Sequence, residues 1–356
     1  ALEADGSVLV LAGDGAITIT SAPARGTVPQ TGGDGVLIFG GTGLPEPTGD
    51  VFVASSGAVS VASADAARML ALRGNGVTST GTLSAGDDIR IESSAGASLA
   101  VLRSGDDIIA NAAGALTIDD AATDASGPDD TAAYDSIAAG LPFFFTGLDT
   151  PAGSDVTLRT TGPDGAMTLG AIAAADTLDS LSSTTTAFAS LIAGGDLSAV
   201  ATGTLTGGSA QAGGQALLEA SGVATGDVTA GTGASLVSAS TLEAGAVSTA
   251  SGNVSLTAAT GIDAGDLTAA AGAVLLANPA GTIAAGLLTS LDSFVLDTTS
   301  AVDAAIQPMV ISRSAPVFTS AFQLAWRSAE ARTARVTVRV KMGRPAGTAG
   351  WRQRAS

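Results

Sequence analysis

The sequence predicts an all-β protein, a right-handed parallel β-helix built from coils of about 19–20 residues. Three observations carry this: a glycine beat with a fixed step, short runs that alternate Val, Leu or Ile with Ser, Thr or Ala, and a composition of small side chains. Glycine accounts for 47 of 356 residues and aromatics for 3%. Mean hydropathy is +0.41, which a disordered chain, richer in charge and poorer in branched aliphatics, would not show.

The beat is clearest over 226–277. Gly226, Gly245 and Gly265 precede DVTA, AVST and DLTA, while Gly233, Gly252 and Gly272 precede ASLVSA, NVSL and AVLLA. Earlier, Gly86 and Gly105 each open GDDI, 19 residues apart, and Gly96 and Gly114 open ASLAV and ALTI. A period of this length signals stacked units that bury a face only against their neighbours. Within a unit, alternation places Val59 and Val61 inside with Ser60 outside, and Leu116 and Ile118 inside with Thr117 outside. A weaker third strand is expected in the remaining interval of each unit. The glycines are expected to supply unusual backbone angles at the corners. A helix is excluded by the same glycines, each costing about 1 kcal/mol relative to Ala. Parallel strand connections are right-handed, and residues 1–300 would hold at most about 15 turns.

Four regions follow. Residues 1–118 form coils with loops at 21–33 and 41–50, both rich in Pro and Gly. Residues 119–153 are an insertion holding the only tyrosine, Tyr134, and the run Phe143, Phe144, Phe145. Residues 154–305 resume the coils. Residues 306–356 are a basic segment read as a cap or tail, within which RVTVRVKM (335–342) alternates as a strand would. Tyr134 and the three phenylalanines are the candidate partner-binding loop, since insertions in a solenoid project from one side. The plainer reading has the Phe cluster packing back over the rod.

Chemistry is mostly excluded. The chain has no histidine and no cysteine, which removes the commonest general base, zinc ligand and thiol nucleophile. Net charge is −18, which disfavours nucleic acid as a partner, and no apolar run approaches the ~20 residues of a membrane-spanning helix. No catalytic residue, metal ligand or cofactor is assigned. The paired aspartates, Asp87-Asp88 and Asp106-Asp107 among them, stack one turn apart; calcium through oxygen ligands is one reading, a solvated corner the favoured one. The Thr-rich stretches (Thr18, Thr20; Thr78, Thr80, Thr82; Thr184, Thr185, Thr186) are read as ordinary outward residues without a common register. The six arginines of residues 1–300 are read as scattered.

The Gly-[AND]-[VL]-x-[VL] strands in paired series, best at 49–118 and 194–277, resemble the coils of filamentous-haemagglutinin-like bacterial exoproteins. The resemblance implies a stalk segment of a secreted or cell-surface adhesin, placed outside the cell. It further implies an outer-membrane export partner and a receptor or glycan on a host or neighbouring cell. The family's secretion motif Asn-Pro-Asn-Gly is matched only in part by Asn278-Pro279-Ala280-Gly281, which is read instead as a tight turn. The opening ALEADGSVLV shows no signal peptide, so a mature piece or fragment is expected. The alternative is a polysaccharide-active β-helix enzyme, whose relatives gather basic and acidic side chains on one face of the rod.

Overall fold

A computed structural model describes residue 2 and residues 8–12, 15–24, 49–126, 153–298, 302–308 and 322–326. These form one parallel β-solenoid with no helix among the described residues. Its main sheet holds thirteen strands, from Val8–Ala12 through Val51–Ser55, Leu70–Gly74 and Ile89–Ser93 to Phe294–Thr298, each paired in parallel with the next. Thirteen stacked strands make twelve turns, a rod of about 60 Å at the ~4.8 Å spacing between neighbouring strands. That is fewer than the 15 turns residues 1–300 would allow, because Val51 stacks on Val8 and Val156 on Ile108 after 43 and 48 residues instead of about 19.

Each coil is completed by a second run of strand. In some coils it is continuous and bent, as in Leu116–Thr123 and Met167–Ala174; in others it is split, as in Gly222–Thr225 followed by Val228–Ala230. The expected third strand is therefore present: within the unit that starts at Gly226, Val228–Ala230, Gly233–Ser238 and Thr241–Ala244 lie in order. The coil also runs on through Thr123, and Ala22–Ala24 is a strand paired with Ala64–Ala66, so the loops at 21–33 and 119–153 begin later than the sequence suggested. The strand Phe322–Trp326 pairs antiparallel with Val302–Ile306, which places part of the basic C-terminal region on the rod's last coil. RVTVRVKM, residues 41–48, Tyr134 and Phe143–Phe145 lie outside the described residues.

The core is a set of aliphatic columns. In register along the main sheet stand Leu72, Ile91, Ala110, Leu158, Ser180, Ala199, Leu218, Leu236, Leu256, Leu276 and Leu296. All are buried. Val59, Val61, Leu116 and Ile118 point inward as alternation requires, with Ser60 and Thr117 outward. At roughly 25 cal/mol per Å² of buried apolar surface, such columns are the main favourable term, and each coil can gain it only with a neighbour in place.

The corners work differently from the expectation. Among the described residues only Gly76, Gly153 and Gly252 of the glycines have positive φ. Most of the other corner glycines are demanded by space: at Gly86, Gly194, Gly213 and Gly231 a Cβ would run into a backbone carbonyl of the preceding coil. Close stacking along the rod axis, not backbone angle, is what excludes a side chain there. Hydroxyls finish the same job. Ser93, Ser182 and Ser238 each donate to the carbonyl three residues on, at 2.8, 2.9 and 2.6 Å, and accept the N–H two residues on. Asn278 closes the predicted turn with its side chain, its Oδ1 accepting from Gly281 N at 2.8 Å and its Nδ2 donating to Thr282 O at 2.8 Å.

Candidate functional site

The charged residues gather at two places. The first is the corner that precedes each main-sheet strand. There an aspartate side chain accepts the backbone N–H of the residue at the same position in the next coil. Asp50 accepts from Met69 N at 3.2 Å, Asp88 from Asp107 N at 3.1 Å, Asp107 from Asp155 N at 2.9 Å, Asp155 from Thr177 N at 2.7 Å and Asp196 from Gln215 N at 2.7 Å. The same device recurs at Asp227 with Ala246 N (2.8 Å), Asn253 with Ala273 N (2.9 Å) and Asp266 with Leu287 N (2.8 Å). A carboxylate or amide oxygen thus satisfies a corner N–H that the parallel ladder leaves aside.

Over one stretch this column becomes dense. One carboxylate oxygen from each of Asp87, Asp88 and Asp106 lies within 4.8 Å of the others. Asp106 accepts from Ser154 Oγ at 3.0 Å, and the Ser104 hydroxyl donates to the Asp87 carbonyl. The expected stacking of Asp87 on Asp106 is present, but the expected solvated corner is not. Asp87, Asp88, Asp106 and Asp107 are 2%, 3%, 4% and 0% exposed, whereas Asp196 at the same corner further along is exposed. Such a cluster has oxygen chemistry suited to a hard cation, and its backbone clamps give it a structural role in any case.

The second place is the outer face of the main sheet. Arg73, Arg90 and Arg159, far apart in sequence, share this face on neighbouring coils with Glu92, Asn111 and Asp179. Arg90 Nη2 lies 2.6 Å from Glu92 Oε1, Arg73 Nε 3.8 Å from Glu92 Oε2, and Arg159 Nη2 3.5 Å from Asp179 Oδ2. The arginines are therefore not scattered: three of the six line one face, and a fourth, Arg103, pairs with Asp120 on an adjoining face. Beyond Leu181 the outer face turns to Ser198, Val200, Leu217, Ser235 and Val237, with Glu219 the one charge in that stretch.

The threonines also fall into line. Thr18, Ser60, Thr78, Ser98, Thr117, Thr168, Ala187 and Thr206 are stacked partners on eight successive coils of a second face. The reading that the Thr-rich stretches share no register is corrected for Thr18 and Thr78. Ser60, Ser98 and Ala187 at the intervening coils hide the ladder in a search for threonine alone.

Comparison with known proteins finds no matching family model, curated protein or solved structure. Among the described residues no helix is long and apolar enough to cross a membrane.

Proposed function

We propose that the chain is a structural stalk segment of a secreted or cell-surface bacterial adhesin, similar in kind to the filamentous-haemagglutinin-like exoproteins. The observation that carries this reading is the unbroken parallel stack of twelve turns, in which each coil is held by the next through backbone ladders, reinforced at many corners by aspartates and by glycines without room for a side chain. That construction yields length and stiffness from repetition alone. Attachment to a receptor or glycan belongs to insertions or to further parts of the protein, and export to an outer-membrane partner. The test is surface exposure in the native host. Antibody raised against this chain should label intact cells, and added protease should remove the label. Labelling that appears only after the cells are lysed would refute the reading.

A second reading, a polysaccharide-active β-helix, is favoured by the Arg73, Arg90, Glu92, Arg159 and Asp179 face, because general acid–base work on sugars needs carboxylates held beside binding groups. It predicts binding of acidic polysaccharide that weakens in Arg159→Ala. No change of binding in that variant would remove it.

A further inference from the structure

On the outer face of the main sheet, Arg159, Leu181, Val200 and Glu219 are in-register neighbours on four successive strands, Val156–Thr160, Leu178–Ser182, Leu197–Ala201 and Gln215–Ala220. Alternation points all four away from the core, and solvent reaches them. Leu181 is 42% exposed, the Arg159 side chain is 52% exposed, Glu219 is exposed and Val200 half-buried. Arg159 holds Asp179 only at 3.5 Å, and Glu219 has no ion-pair partner among the described residues. Two aliphatic side chains thus face water between a cation on one side and an anion on the other. A half-turn about the strand direction reverses that order and makes it the complement of itself. An isologous two-fold interface requires such a surface, since each residue there must suit the one it meets in a second copy.

We propose that this face is a self-association surface, on which a second copy of the chain packs antiparallel, rod against rod. The two-fold axis runs along the strand direction between Leu178–Ser182 and Leu197–Ala201. Leu181 of each copy then meets Val200 of the other, and Arg159 of each meets Glu219 of the other. The adjoining outward column accepts the same register. Thr157, Asp179, Ser198 and Leu217 stand on these four strands, so Asp179 faces Ser198, Thr157 faces Leu217, and no like charges are opposed. The charges also select against the alternatives. A parallel pair, with its axis along the rod, sets Arg159 on Arg159 and Glu219 on Glu219, the like-charge juxtaposition that suppresses wrong pairings. A slip of one coil, centred on Leu181, sets Arg159 on Val200 and Glu219 on Asn111, and both opposite-charge pairs are lost. Four strands at ~4.8 Å and five residues at ~3.3 Å give a patch of about 19 Å by 16 Å. That is well below the ~800 Å² per partner of a stable complex, so the pairing is weak and depends on concentration. It follows from the fold and the charges alone, whether or not the rod is a stalk.

Each copy carries a net charge of −18, so the test is made in 0.15 M salt, where repulsion between chains is screened beyond ~8 Å. Sedimentation equilibrium of the full chain should show monomer and dimer in exchange, and Leu181→Asp, outside the core, should leave monomer alone. Arg159→Glu and Glu219→Arg should each weaken the dimer about tenfold or more. The two together restore opposite charges across the axis and should return it to within about threefold of the parent. A chain still monomeric at about 1 mM, single reversals without effect, or a double reversal no tighter than the singles overturns the proposal. Orientation is read with thiols, since the chain has no cysteine. Asn111 and Val237 extend the same column by one coil at either end. A short bis-maleimide that spans the ~10 Å between packed sheets should join Asn111→Cys to Val237→Cys in a mixture of the two variants. Asn111→Cys by itself should not crosslink, because its two thiols lie five coils, about 24 Å, apart along the rod. Crosslinking of Asn111→Cys to its own copy, the result for a parallel pair, overturns the assignment.

Discussion

Phe188 and Gly207 offer a quantitative test of how tightly the coils are matched. They are ladder partners on consecutive coils, both on the inward side, and Phe188 is 6% exposed. A Cβ built on Gly207 would lie 2.3–2.4 Å from three atoms of the Phe188 ring, so the ring occupies the volume its partner leaves vacant. Gly207→Ala alone overpacks this site, at a cost of about 1–3 kcal/mol, set against roughly 0.4–1 kcal/mol gained from a stiffer unfolded chain. Phe188→Leu alone loses ring contacts and leaves a cavity; full truncation of a buried Phe costs about 3–5 kcal/mol, and Leu should cost less than half of that. Together the two changes compensate, because the methyl at 207 enters the space the ring has left. The double variant should therefore be more stable than the sum of the singles by about 1–2 kcal/mol, within the range for residues in contact. Urea unfolding followed by far-UV circular dichroism at 25 °C on the four proteins closes the cycle. Additivity within about 0.5 kcal/mol would mean that neighbouring coils relax independently, and would refute the matched-column account.

Asp227→Ala should lower stability by about 0.5–1.5 kcal/mol, the net worth of one hydrogen bond, while Asp227→Asn, which keeps an oxygen acceptor as Asn253 does, should stay within about 0.5 kcal/mol of the parent; equal losses in both would show that charge, not the corner clamp, matters. Leu236→Ala, fully buried in the tenth of the thirteen main-sheet strands, should cost about 2–5 kcal/mol, and because coils are stabilised by their neighbours hydrogen exchange should accelerate first in the coils either side of it; uniform acceleration along the rod would contradict that. Ser180 stands in the aliphatic column at 0% exposure with its Oγ lacking a hydrogen-bond partner among the described residues, so Ser180→Ala should raise the urea midpoint, by up to about 1–3 kcal/mol in stability, and a drop would reveal a partner for the hydroxyl. Deleting 124–152 should leave the β-sheet signal of the rod intact, since Gly153-Ser154-Asp155 alone matches the three-residue corners elsewhere; loss of that signal would make the insertion part of the fold.

What could be seen in the sequence and what could not divides along one physical line. Alternation and step length are local, so the strands around Val59, Val61, Leu116 and Ile118, the 19–20-residue coil and its third strand were all legible. Which residues stand above one another is not local. It depends on counting residues from coil to coil, and the count is broken where Ile108 pairs with Val156, 48 positions on, and where Val8 pairs with Val51, 43 on. Across such breaks Arg159 looks remote from Arg73 and Arg90, and Thr168 looks unrelated to Thr18, although the fold puts each set on one face. The aspartate corner failed for a second reason. In an open coil the residue before the strand is solvated, as Asp196 is, and nothing within Gly-Asp-Asp-Ile tells a covered corner from a bare one. The repeat specifies a rod by itself, and what distinguishes one part of the rod from another, such as the face shared by Arg73, Arg90 and Arg159, emerges only when the coils are counted across its breaks.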